Sequence, residues 1–339
     1  MTAQIKRLSL GSLLRRPETG SFFGLMAVFT FFAIFGGANF ASATGAASWL
    51  NVAAGLGIVA LPIGLLMIAG ELDISIGSLI PAGSMTVAII SGHYHQPILL
   101  GIGAALALGA VVGFINGMLV VRTAVPSFIV TLGTLFAVAG LLLGLSVLFT
   151  GTTSVAIKAP PEAKWLLGQF IGGVYQVTIF WWVAAALIFG FILHFTRYGN
   201  WIFAMGGDKV SARNAGIPTE RMTVLLFMSS GVSATFVGVC QAILYNSAQV
   251  SAGQSYIFNA IISVVVGGVL LTGGYGSVVG IVLGTLTFAI VNQGIYYTAF
   301  DANWASLIIG VLLLLAVLMN NTFRQLALTY APAKGKSQK

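Results

Sequence analysis

The chain has 339 residues, of which 58% are apolar and only 6% charged, and it carries a formal net charge of +8 and a mean hydropathy of +1.01. A soluble domain needs roughly 25% charged residues to coat its surface, so the composition excludes a soluble globule and makes lipid the solvent over most of the molecule. The single Cys240 excludes a disulfide framework and any cysteine-based metal centre.

A bilayer core of about 30 Å takes about 20 apolar residues per helix. Hydropathy predicts ten spans, at 21–40, 49–70, 74–92, 97–121, 126–149, 176–196, 222–244, 256–272, 276–298 and 304–320. The expected fold is an all-α, polytopic helix bundle. It divides into a cytoplasmic segment 1–20, a membrane domain 21–320 and a basic tail 321–339. The first span follows Lys6, Arg7, Arg15 and Arg16 and precedes Ala41-Ser42-Ala43, a pattern shared with cleavable signal peptides. An uncleaved helix is the expectation. Only Glu71-Leu72-Asp73 separates the second and third spans, and only a Gly-rich turn separates the eighth and ninth. The segments Asp73–Ser78 and Gly273–Ser277, each following a span with Asn51 or Asn259 near its start, suggest an internal duplication.

Cytoplasmic loops of membrane proteins are enriched in Lys and Arg. With the N-terminus in the cytoplasm, ten spans put 13 of the 15 basic residues on that side and leave only Lys158 and Lys164 opposite. Both termini are therefore expected inside. The +8 charge is explained by this bias rather than by nucleic acid binding. Two loops stand out: an external one at about 150–175, and a polar cytoplasmic one at about 197–221.

The chemistry is sparse. Glu18, Glu71, Asp73, Glu162, Asp208, Glu220 and Asp301 fall at span ends or in loops, as do His93, His95 and His194. The His93/His95 pair has no acidic or cysteine neighbour to complete a metal site and reads as a solvated turn. No catalytic constellation is visible. Ion-coupled carriers place ionisable groups within their spans; the scarcity here points to a neutral polyhydroxy solute, with Asn116, Ser127, Thr131, Thr134, Asn292 and Gln293 as candidate pathway contacts. Ser and Thr bonded to their own helix, or Asn joining helices, is the plain alternative. Gly335-Lys336-Ser337 is no nucleotide site, because Tyr330 stands where a P-loop needs its first glycine. Any ATP and Mg would sit on another polypeptide.

The cytoplasmic loop has helix punctuation: Asp208 as a cap, a short helix over about 209–215, Gly216 as its stop and Pro218 beyond. It fits either a partner surface or a basic loop anchored at the lipid. Here the chain resembles a known family. The run Ala204–Asp208 with Ala212–Ile217 is similar to the coupling loop of the ribose-type sugar permeases of bacterial ABC importers. Three further blocks agree in order: Gly70-Glu71-Leu72-Asp73-Ile74-Ser75-Ile76-Gly77-Ser78, Pro126-Ser127-Phe128-Ile129-Val130-Thr131-Leu132-Gly133-Thr134, and Val266–Gly268 with Leu271–Ser277. The blocks cover most of the chain.

The resemblance implies a pair of permeases, identical or related, on an ABC ATP-binding subunit, fed by a periplasmic sugar-binding protein across the inner membrane. It makes Gly206, Gly207, Asp208, Arg213, Asn214 and Gly216 the coupling-loop residues, and Asp73 and Ser75 candidates for the gate with Asn116, Ser127, Thr131 and Asn292. Glu71 departs from the family, which has glycine there. An ABC permease for branched-chain amino acids and a stand-alone carrier or channel are the competing readings.

Overall fold

A computed structural model describes residues 17–299, 301–304, 307, 308, 310, 311, 313–315 and 318. The predicted segment 321–339, most of 1–20 and much of the tenth span, 304–320, lie outside the described residues. Eight helices among the described residues are long and apolar enough to cross a bilayer.

The first helix, α1 (Pro17–Phe35), begins on proline, whose fixed φ suits a first helical turn. It breaks at Gly36-Gly37, where Gly37 has φ +61°, and a short α2 (Gly37–Ala41) follows. Ser42 then caps α3 (Ala43–Ile68) by accepting from the Gly45 N–H. This 26-residue helix is about 39 Å long at 1.5 Å per residue. Its membrane window is 83% buried, against 11% for α6 (Ser127–Thr150), so α3 is the axis of the bundle and α6 lies on its outer surface.

After α3 come α4 (Ile76–Val87), which runs into a π-helical turn at Ala88–His93, and α5 (Ile98–Arg122). On the external side, β1 (Ser154–Ala156), α7 (Pro161–Leu167) and the hairpin β2 (Phe170–Ile171) with β3 (Tyr175–Gln176) give the predicted loop a folded form. Next are α8 (Thr178–Phe195), the cytoplasmic pair α9 (Arg197–Gly207) and α10 (Lys209–Asn214), and α11 (Thr219–Tyr245). The strand β4 (Ser247–Gln249) pairs antiparallel with β1, Val155 opposite Ala248. Helices α12 (Gln254–Val266) and α13 (Val278–Gly294) complete the described bundle, the latter extended by a 3-10 turn to Tyr297.

Small residues set the tightest packing. Gly109, Gly113 and Gly117 repeat every fourth position on α5, so one face of that helix has no side chains. A Cβ at Gly109 or Gly113 would strike the carbonyl of Gly231 or Phe227 on α11. Two backbones thus touch directly, as small-residue stripes allow in lipid. The neighbouring Asn116 is thereby held fully buried between helices.

The eighth predicted span differs from the structure. The run 256–272 is mostly apolar, yet the helix stops at Val266 after 13 residues, about 20 Å and short of a crossing. The reason is Gly268, held at φ +89°, followed by Gly273, Gly274 and Gly276, all at positive φ. Hydropathy registers burial but is blind to backbone conformation.

Candidate functional site

Two helix breaks meet near the cytoplasmic end of the bundle, and both are built alike. At the end of α3, Gly70 at φ +85° lets the Glu71 N–H reach Leu66 O and its own N–H reach Met67 O. At the end of α12, Gly268 lets the Val269 N–H reach Val264 O and its own reach Val265 O. Each is a Schellman stop, which satisfies carbonyls that helix ends leave open. The same stop thus closes both helices that lead into the segments singled out as a duplication. Asn51 and Asn259 do not occupy equivalent places: they lie 19 and 9 positions before their respective glycines.

Between α3 and α4 the backbone is unwound, and in a membrane its amides need partners. The first turns of α6 supply them. Ser127 Oγ accepts from the Leu72 N–H at 3.1 Å, and Thr131 Oγ1 accepts from the Ile74 N–H at 3.3 Å. Their spacing of four puts both hydroxyls on one helix face. Asp73 Oδ1 accepts from the Ser75 N–H at 2.9 Å and the Ser75 hydroxyl at 2.6 Å. The chain of bonds continues through Asn116 Nδ2, which donates to Ser75 Oγ at 3.0 Å, and Thr134 Oγ1, which donates to Asn116 Oδ1 at 2.6 Å. Asp73, Ser75, Asn116 and Thr131 are all fully buried.

Asp73 Oδ2 and Ser230 Oγ, the latter from α11, are buried side by side, facing each other across the end of the network. Neither described ion pair involves Asp73. Five of the six sequence-predicted pathway residues thus form one network. Asn292 stands apart towards the far end of α13, its Oδ1 accepting from Gln293 Nε2 at 2.9 Å.

The cytoplasmic loop reaches the same place. Asp208 caps α10, its Oδ1 accepting from the Val210 and Ser211 N–H groups and its Oδ2 from the Ser211 hydroxyl. The Ser211 N–H first, then the Ser211 hydroxyl and the Val210 N–H, hold the Asp208 carboxyl below its ordinary value. Gly216 at φ +85° ends α10 with a third Schellman stop, Ile217 N–H to Ala212 O, as the punctuation predicts. Arg213 Nη2 donates to Glu220 Oε1 at 2.9 Å, while Asn214 is exposed.

Gly206 is wedged between the two breaks. A Cβ there would collide with Ile68 O and Gly274 N, which are themselves bonded at 2.8 Å. A Cβ on Gly273 would lie 3.1 Å from the Cα atoms of both Gly206 and Gly70. Gly207, by contrast, is exposed with open space around it. Lys209 reaches from α10 to Glu71 and forms an ion pair with it. Sequence reading singled out Glu71 only as a departure, and gave no sign of its partner 138 positions away. The arrangement can pass a displacement of α9–α10 to both helix breaks at once.

A larger groove of about 720 Å³ lies between α8 and α13, lined by Trp182, Leu187, Phe191, Val278 and Val282. Its one imidazole, His194, already accepts from the Val278 N–H. It offers nothing to a hydroxylated solute.

The family of permease components of the branched-chain amino acid transport system matches residues 45–317. The ribose import permease protein of Escherichia coli K12 is 31% identical over 268 residues, covering 78% of this chain and 81% of its own. The fructose import permease protein of Rhizobium meliloti is 28% identical over 303 residues, 87% of this chain and 83% of its own. An autoinducer 2 import system permease protein of Photorhabdus temperata is 30% identical over 262 residues, 77% and 78% of the two chains. No solved structure matches.

Proposed function

This chain belongs to the permease-component family of the branched-chain amino acid transport type, and from that premise we propose that it is the membrane-spanning subunit of an ATP-driven importer for a neutral sugar or sugar-like solute. The relatives named for ribose, fructose and autoinducer 2 favour the sugar branch. A zwitterionic amino acid would need charged partners, whereas the buried network around Asn116 is otherwise neutral and its one carboxyl, Asp73, is tied to Ser75.

The observation that carries the mechanism is Gly206 seated on both helix breaks. A separate ATP-binding subunit, holding ATP and Mg, docks on the exposed α9–α10 turn around Gly207 and Val210. Its closure and release move α9–α10. Through Gly206 and the Lys209–Glu71 pair the motion reaches the unwound segments after α3 and α12. These segments are hinges between packed helices, so two arrangements of the bundle follow, open to one side or the other. The permease makes and breaks no covalent bond. A binding protein on the external side delivers the solute, and a second permease copy completes the pathway.

The test is reconstitution of the chain with its ATP-binding subunit and binding protein in proteoliposomes. Uptake of labelled ribose or fructose that needs both ATP and the binding protein supports the reading. Uptake by the chain alone, driven by an ion gradient, contradicts it.

A further inference from the structure

A second polar site lies at the opposite end of the bundle. A half-enclosed cavity of about 120 Å³ is walled by Asn51 on α3, Gln176 on β3, Thr178 at the start of α8, Gln241 on α11 and Tyr256 in the first turn of α12. Positive-inside orientation places all of these towards the external face. Five elements from three distant stretches of the chain thus converge amide and hydroxyl groups on one space.

The wall is pre-organised by its own hydrogen bonds. Gln241 Nε2 donates to Tyr256 Oη at 2.8 Å. Asn51 is clamped from both sides, Nδ2 donating to Val174 O and Oδ1 accepting from the Gln176 N–H, each at 2.9 Å. Thr178 Oγ1 donates to Gln176 Oε1 at 3.2 Å. These bonds use only part of each side chain's capacity. Gln241 Oε1, the Gln176 side-chain NH₂ and the Tyr256 hydroxyl proton remain to face a ligand. Gly55 keeps the space open, since a Cβ there would stand 3.2 Å from Tyr256 Oη.

The lining holds amides, hydroxyls, tyrosine rings, the Cys240 thiol and aliphatic groups, and no carboxylate, ammonium, guanidinium or imidazole. Such a wall recognises alternating donors and acceptors on an uncharged molecule, with apolar and aromatic surface against its carbon faces. At about 30 Å³ per liquid water the cavity of about 120 Å³ takes roughly four water-sized groups, so it receives one face of a small polyhydroxy compound rather than enclosing it. We infer that this outer cavity is a receiving site, in which a small neutral polyhydroxy compound is held by Gln241, Gln176 and Tyr256 before it passes inward. The inference rests on the importer reading and adds to it the place and chemistry of first contact.

The test uses the full chain in membrane vesicles. Cys240→Ala removes the one native thiol, and Gln241→Cys or, in a separate chain, Thr178→Cys sets a single thiol on the wall. A membrane-impermeant maleimide is applied from the external side, with ribose, fructose, sorbitol or leucine at millimolar concentration as the probe. Both thiols are expected to label, and one or more of the polyhydroxy probes to slow labelling severalfold while leucine does not. Thiols that stay unlabelled, label equally with every probe, or are protected by leucine alone overturn the site.

In an otherwise native chain, Tyr256→Phe removes the hydroxyl that accepts from Gln241. It is expected to raise the uptake KM about three- to ten-fold, the effect of one hydrogen bond. An unaltered KM counts against the site. Wild-type uptake and ATPase stimulation are measured in parallel. If both are present while the thiols go unprotected, the cavity assignment alone fails; if both are absent, the importer reading itself fails.

Discussion

Gly206 and Gly207 are adjacent and look interchangeable in sequence, but only one of them has no room to grow. At Gly206 an added methyl meets Ile68 O and Gly274 N, which are backbone atoms joined to each other and unable to swing aside; at Gly207 it meets nothing. Gly206→Ala must therefore push α9 off the two helix breaks, whereas Gly207→Ala leaves the junction intact. Overpacking of this kind costs about 1–3 kcal/mol, which is about a five- to 150-fold shift away from the seated arrangement. The readout is solute taken up per ATP hydrolysed, with the ATP-binding subunit and binding protein present. Gly206→Ala is expected to hydrolyse ATP with that yield reduced at least several-fold, and Gly207→Ala to match wild type. Equal yields in the two variants would refute the claim that Gly206 carries the coupling.

The other predictions follow from single contacts. Glu71→Lys sets two lysines together at the α10 junction and is expected to lower coupled uptake; adding Lys209→Glu is expected to restore most of it. Because Lys209 is 35% exposed, the pair is worth only about 0.5–1 kcal/mol, so the single variant should still fold. Ser127→Ala and Thr131→Ala strand the half-buried Leu72 N–H and the buried Ile74 N–H, and are expected to lower thermal stability by about 1–3 kcal/mol, the second more than the first; Ser229→Ala, whose hydroxyl bonds its own helix, is expected to be near neutral. The Asp208 carboxyl is depressed in the fold, so its cap on α10 is complete above the ordinary carboxylate pKa near 4 and is lost as pH falls through the lower folded value. Hydrogen-exchange protection of Lys209–Asn214 is accordingly expected to be flat from pH 5 to 8 and to fall only in stronger acid.

Hydropathy and charge bias made most of the bundle legible, because lipid imposes a length and a sign rule on each crossing. The α10 cap and stop were legible too, since Asp208 and Gly216 act within a few residues of themselves. What stayed hidden depends on partners distant in sequence. Ser127 and Thr131 read as pathway hydroxyls, yet in the fold they accept from the unwound segment 72–74, a contact visible only once α6 is placed beside it. The end of α12 was lost because Val269, Leu270 and Leu271 continue the apolar run while Gly268 turns the backbone. The outer cavity escaped because Asn51, Gln176, Gln241 and Tyr256 share no motif; only the packing of four elements brings them together.

The central claim is that the exposed α9–α10 turn receives an ATP-binding subunit. Gly207→Arg tests it most directly, because its side chain projects into open space and leaves the bundle's own packing untouched. The measurement is retention and stimulation of the ATP-binding subunit by the purified permease, alongside the permease's thermal stability. The account predicts that wild type retains and stimulates the subunit, and that Gly207→Arg loses both with its stability unchanged. A Gly207→Arg chain that retains and stimulates the subunit as well as wild type does would contradict it.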